Sequence, residues 1–235
     1  LNAGKHVFVE KPLALSKEEL SQIITTDSES AEIPLLMVGY NRRFSDLAIK
    51  AKSFLKGRKT PLIIDYVVNA GVLERDHWLN DKFGGGRNIG EACHMYDLFT
   101  FFTESKFSEI KASSISGQNE RFSWRDNFMA SISFQDGSLC NLVYTSMGNS
   151  NFPKESITIF NSGKIIKIDD FKNLSVSSSQ TKKTFTGSSK GHYSELEYFL
   201  KAIINNAQQP IPTWELIQSS EISFEVEEQI QGFFN

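Results

Sequence analysis

Cysteine is scarce in this chain of 235 residues. There are two, Cys93 and Cys140, far apart and in unrelated contexts. A disulfide framework or a zinc knuckle needs more, at closer spacing, so both are expected to be reduced, buried thiols. Histidine is also sparse: His6, His77, His94 and His192. No two of them have zinc spacing, so no metal site is expected. Charge of one sign is not in excess, with 25 basic residues against 28 acidic ones and a net charge of −3. That argues against nucleic acid as a partner. No window approaches the ~18 apolar residues of a membrane span, and the N-terminus does not read as a signal peptide. No membrane is expected as a partner, and the cytoplasm is the default compartment. The dinucleotide fingerprint G-x-G-x-x-G is missing too. Gly84-Gly85-Gly86 is a glycine cluster, but it does not follow a strand as a phosphate loop would.

What is present begins with Leu1-Asn2-Ala3-Gly4-Lys5. Gly4 has the look of a residue that ends a helix. His6-Val7-Phe8-Val9 then reads as a strand buried on both faces, as in a parallel sheet. Ser16-Lys17-Glu18-Glu19 has the form of a capping box. Leu20, Ile23 and Ile24 supply an apolar stripe for a helix to about Ser28. Leu35-Leu36-Met37-Val38 is a second apolar strand, closed by Gly39. The result is a βαβ unit. It is expected to be the tail of a Rossmann-type nucleotide-binding domain over residues 1–41. Residues 42–235 form the second part.

In that second part Phe44, Leu47, Ala48, Ala51, Phe54 and Leu55 mark a helix. Residues 62–68 mark a strand, and 89–102 another helix. Strands follow at 109–116, 128–134, 139–146, 157–160 and 164–168. Asp136-Gly137 and Asn161-Ser162-Gly163 serve as hairpin turns. Residues 175–189 read as edge strand or loop. Helices at about 193–205 and 214–231 close the chain, separated by Pro210-Ile211-Pro212. Segregated strands and helices imply an α+β fold. It should be an open, largely antiparallel sheet with helices on one face, preceded by the last βαβ part of a Rossmann-type domain.

Ligands in open α/β sheets bind beyond the C-terminal ends of the strands. Glu10-Lys11-Pro12 stands there. Pro12 restricts Lys11 to extended backbone, and the bond between them could be cis. Lys11 is either a donor to a substrate hydroxyl or a solvated surface lysine. His94 lies on a helix whose apolar stripe is Met95, Leu98, Phe99 and Phe102. Glu91, one turn before Met95, falls on that stripe, where an unpaired carboxylate is costly. Glu91 and His94 are close enough to touch. His94 is either a core histidine with a structural carboxylate or part of a site that the triple glycine lets a ligand approach. His77 and Trp78, after Asn69-Ala70-Gly71 and Asp76, suit sugar binding or a loop anchor. His6 and His192 are expected to be structural.

Together these strings resemble the glucose–fructose oxidoreductase / inositol dehydrogenase family, Gfo/Idh/MocA. Ala3-Gly4-Lys5-His6-Val7 running into Glu10-Lys11-Pro12-Leu13-Ala14 is similar to its lysine signature. Gly39-Tyr40-Asn41-Arg42-Arg43-Phe44 resembles its crossing between domains, and Gly84-Gly85-Gly86 through His94 and Asp97 its catalytic helix. Phe134-Gln135-Asp136-Gly137-Ser138 and the helix opened by Gly191-His192 also fit.

The resemblance implies an NAD(P)-dependent oxidoreductase. NAD or NADP would exchange hydride with a hydroxyl carbon of a sugar, nucleotide sugar or polyol. Lys11 and His94 would be catalytic, on opposite walls of one cleft. Glu10, Lys11, Pro12, Tyr40, Asn41 and Arg42 would bind cofactor. Trp78, Arg87, Glu91 and Asp97 would bind the carbohydrate or polyol. The open sheet face would make a homo-oligomer. Without the fingerprint, these residues alone are expected to bind dinucleotide poorly and to be inactive. A departure is Gly90, where many members carry an aspartate four residues before the histidine. The spacing of residues 69–94 also resembles a subgroup in which this module follows an alcohol-dehydrogenase-like domain. The alternatives are a non-catalytic sugar-sensing or interaction protein on the same fold, and NAD-dependent glycoside cleavage.

Overall fold

A computed structural model describes residues 1–29, 34–74, 77–80, 83–116 and 122–232. Arg75 and Asp76, within the loop singled out above, lie outside the described residues. Strand β1 (Val7–Val9), helix α1 (Lys17–Glu29) and strand β2 (Leu36–Val38) form the βαβ unit, with β1 and β2 paired in parallel. The capping box is half made. Ser16 Oγ accepts from Glu19 N, while the Glu19 carboxylate accepts from Leu15 N rather than from the cap residue's own amide. The small core of this unit is completed from the far end of the chain. Leu36, Met37, Val38 and Tyr40 pack with Phe199, Ile211, Leu216 and Phe224.

Asn41–Phe44 forms a single 3-10 turn that Ser45 ends. Ser45 then caps helix α2 (Asp46–Ser53), its Oγ accepting from Ala48 N. The second part is built on eight strands: β3 (Ile63–Asn69), β4 (Phe107–Ser114), β5 (Phe128–Phe134), β6 (Leu139–Thr145), β7 (Glu155–Asn161), β8 (Lys164–Asp169), β9 (Asn173–Ser177) and β10 (Lys182–Thr186). Their order is β10-β9-β8-β7-β3-β6-β5-β4. Every neighbouring pair is antiparallel except β3 and β6. Both expected hairpins form, at residues 135–138 and 162–163. Residues 175–189, left open between strand and loop, contribute most of the β9–β10 hairpin at the sheet edge.

Helices α3 (Cys93–Thr103), α4 (His192–Ile204) and α5 (Thr213–Gly232) complete the fold. Alternation in β3 buries Ile64, Tyr66 and Val68 against Met95, Phe99, Ile222 and Val226. Ile63 faces the other way and is exposed. The helix expected from residue 89 has an irregular start. Asn88–Ala92 is a π-turn, with Gly90 N donating to Gly85 O, and α3 continues from it. Such turns often mark functional sites. Both cysteines are free and buried. Among the described residues no helix is long and apolar enough to cross a membrane.

Candidate active site

The turn after β1 carries Lys11, whose peptide bond to Pro12 is cis. Its ammonium donates to the Gly90 carbonyl at 2.6 Å, inside the π-turn and four residues before His94. Residues 79 positions apart in sequence thus meet at the start of one helix. The contact is direct, so Lys11 packs onto the His94 helix rather than facing it across an open cleft. Trp78 covers Lys11, with the ammonium 5.0 Å from its ring centre. Trp78 itself is 55% exposed, available to a ligand or to solvent.

At Gly90, where the resemblance leads one to expect an aspartate, the packing leaves no room for a side chain. A Cβ there would lie 2.1 Å from the Gly84 carbonyl oxygen and 2.7 Å from Leu79 Cδ2. Gly84 is equally confined, because its own Cβ would lie 2.3 Å from the Trp78 carbonyl oxygen. The glycine-rich loop therefore occupies the space a carboxylate would need. A backbone carbonyl, not an acid, holds Lys11.

His94 is buried and meets Tyr40 edge-on, with ring centres 6.1 Å apart. Its Nδ1 has no hydrogen-bond partner among the described residues. Burial, together with the charges of Arg42, Lys11, His192 and Lys190, holds its pKa well below the ordinary imidazole value. At neutral pH the ring is uncharged.

Two buried glutamates lie on the sheet side. Glu91 accepts from Arg87 at 2.8 Å, Tyr144 at 2.6 Å and Lys154 at 3.1 Å. Burial would raise its pKa, but Lys154, Tyr144 and Arg87 outweigh burial and hold it at about 2. Glu155 accepts from Arg42 through Nε at 2.7 Å and Nη2 at 3.1 Å, and also from Tyr66 and Lys190. It too is held well below the carboxylate range despite its burial.

Several expected site residues have other work. Asn41 is buried and donates to the Lys190 carbonyl, and Arg42 is committed to Glu155. Tyr40 is fully buried. Asn41 and Arg42 are thus held by protein partners and Tyr40 is closed to solvent, so none of the three is open to a nicotinamide as expected. Asp97 is also displaced from its expected role. It is fully buried, with Oδ2 2.9 Å from Arg43 Nε and Oδ1 2.5 Å from Nη2. Arg43 also reaches Glu215 at 2.6 Å. Arg87 holds Glu91 and the Gly71 carbonyl. His6, expected to be structural, accepts from Leu35 N and ties β1 to the start of β2.

Sequence reasoning did not single out Lys154, Glu155, Lys190, Tyr66, Tyr144 or Glu195. Glu195 is buried, with one carboxylate oxygen unpartnered. Burial, then the charges of Glu10 and Asp97, push it up to about 8. Its place in the first turn of α4 and the glycine before it are ordinary helix signals, so nothing in the local sequence marked it.

No protein-family model matches the chain. It is 26% identical over 157 residues to 1-carboxy-3-chloro-3,4-dihydroxycyclohexa-1,5-diene dehydrogenase of Comamonas testosteroni. That match covers 64% of this chain and spans 38% of the length of the relative. Among solved structures, UDP-N-acetylglucosamine 3-dehydrogenase of Acidithiobacillus ferrooxidans superposes with a TM-score of 0.81 at 18% identity, over 98% of this chain and 72% of that one. An oxidoreductase of Agrobacterium radiobacter, in complex with NAD+, L-tartaric acid and magnesium, gives 0.76 at 14%, over 97% and 71%. The fold is that of the Gfo/Idh/MocA dehydrogenases. The large, mostly antiparallel sheet with its helices is the fold class expected from the sequence.

Proposed function

We propose that the chain forms the substrate side of an NAD(P)-dependent dehydrogenase that oxidises a hydroxyl carbon of a sugar, nucleotide sugar or polyol. The observation that carries this reading is a buried, uncharged imidazole with a free Nδ1, beside an ammonium bound to the same helical start. A neutral imidazole can accept the hydroxyl proton as the carbon is oxidised. Lys11 keeps further N–H donors beyond the one given to Gly90. One of them can hold the hydroxyl oxygen and stabilise the negative charge that grows there. Trp78 offers an aromatic face for a sugar ring, and Glu91 with Arg87 forms a polar wall behind it.

A nicotinamide ring would lie beyond the C-terminal end of β1, on the side where Lys11 stands. Bound there, the dinucleotide supplies the hydride acceptor. Residues 1–41 then serve the dinucleotide side of the site, with residues 42–235 as the substrate-binding part. NAD+ in the Agrobacterium radiobacter structure and the dehydrogenase activity named for the two other relatives support this reading. Two free, buried thiols suit a reducing compartment, and the cytoplasm is proposed.

The test is nicotinamide reduction by a protein that includes the nucleotide-binding strands, across a panel of sugars and polyols. Lys11→Ala and His94→Ala should each lower kcat by ~10²–10⁴-fold with unchanged thermal melting. Full turnover in both variants would sink the assignment.

Self-association through the open sheet face is part of the same proposal. Ile165, Phe160, Ile63 and Leu139 stand side by side in register across β8, β7, β3 and β6, all exposed. Such a row suits a matching sheet from a second copy. Phe160→Glu should leave a monomer by light scattering. An unchanged oligomer would remove this face from consideration.

A further inference from the structure

We infer that the hydroxyl substrate carries an anionic group, a carboxylate or a phosphate, and that Lys154 and Lys190 receive it. This deepens the reading of Lys11 and His94 above and rests on it. Lys154, just before β7, and Lys190, just before α4, both reach the sheet side of the His94 helix. Lys154 binds Glu91, three residues before His94, and Lys190 binds Glu155, which also holds Arg42. Their side chains are 46% and 33% exposed, so neither lysine is sealed inside the protein.

The argument turns on unused donors. Each ammonium has three N–H groups. Among the described residues each gives one hydrogen bond, to its glutamate. The glutamates need nothing more. Glu91 already has three partners, and Glu155 has a guanidinium, a phenol and an ammonium. Lys11 adds another ammonium held only by a carbonyl and an aromatic face.

The remaining acids do not cancel this surplus. Asp126 lies 3.8 Å from Arg87, which is itself turned to Glu91. Glu10 sits against Gly39 at the strand end, and its charge is felt at Glu195. The cationic field is felt at the reacting group, since Arg42, Lys11 and Lys190 all help to keep His94 uncharged. A neutral polyol would leave these ammonium protons to water. A carboxylate or phosphate would take charge-assisted hydrogen bonds from them and fix the substrate's orientation. The lysines would thus select the substrate without taking part in the proton transfer.

The test is a calorimetric titration of this chain with glucose, glucuronate and glucose 6-phosphate, with and without Lys154→Gln/Lys190→Gln. At least one anionic sugar should bind ~10-fold or more tighter than glucose. The double variant should erase that difference while it still folds, as its circular dichroism spectrum shows, because Arg42 and Arg87 still hold the two glutamates. Raising the salt from ~50 to ~500 mM should weaken the anion and not glucose. Glucuronate against glucose 6-phosphate separates a carboxylate from a phosphate. Equal affinity for neutral and anionic sugars, no binding of either anion, or a preference that survives in the double variant would each overturn the inference. These outcomes are independent of hydride transfer, so the reading of Lys11 and His94 could stand without it.

Discussion

His94 and Asp97 stand three residues apart on one helix, and the protein treats them in opposite ways. Asp97 has both carboxylate oxygens on Arg43, which also holds Glu215, and the cluster is closed to solvent. His94 is nearly as buried, yet its Nδ1 has no partner among the described residues. Three positions turn the chain by ~300°, so the two side chains point some 60° apart. That small angle separates a face packed by α5 and the 41–44 turn from the face that meets Lys11. Charge that is fully paired inside the protein is there to hold the fold. A buried polar atom left unpaired costs stability and is retained where a ligand completes it.

The sharpest way to break this comparison is Arg43→Met. It strands Asp97 and Glu215 together without their cation, and breaking such a buried pair costs ~3–5 kcal/mol. Urea unfolding measures it, and a loss below ~1 kcal/mol would show that the cluster is not what anchors α3. A smaller effect is expected from Glu91 in acid. Its pKa is lowered from 4.5 to about 2 in the folded protein, so its stabilising contribution is complete above pH 4.5 and is lost as the pH falls toward 2. Between those limits the native protein should lose on the order of 2 kcal/mol more than Glu91→Gln does. Parallel stability curves for the two proteins would contradict the pairing with Lys154, Tyr144 and Arg87. The smallest effect is expected from His94→Gln, within ~1 kcal/mol of the native stability, because no protein hydrogen bond to Nδ1 is broken. A loss as large as that of Arg43→Met would make His94 a structural residue and erase the contrast.

Local signals carried the reading of the sequence a long way. The βαβ unit, both hairpins and the closing helices follow from apolar periodicity and turn residues within a few positions of each other. Lys11 was marked by its place after a strand, and His94 by the glycine cluster and the misplaced Glu91. Asp97 is expected at the site by the family resemblance alone, while its partner in the fold, Arg43, lies 54 residues away. Arg42, also expected at the site from the resemblance, is held by Glu155, 113 residues distant.

The order of the chain alone determined which segments are strands and helices, where they turn, and which residues have chemistry to offer at the end of β1 and the start of α3. Pairing across long separations was left to the tertiary structure. It inserted β3 between β6 and β7 in the sheet's single described parallel pairing. It filled the space beside Gly90 with the Gly84 carbonyl, and it set Lys154 and Lys190 on glutamates that no spacing rule connects to them. Periodicity and turn preference act over a few residues, whereas hydrogen bonds and charge act between whatever atoms the fold brings together.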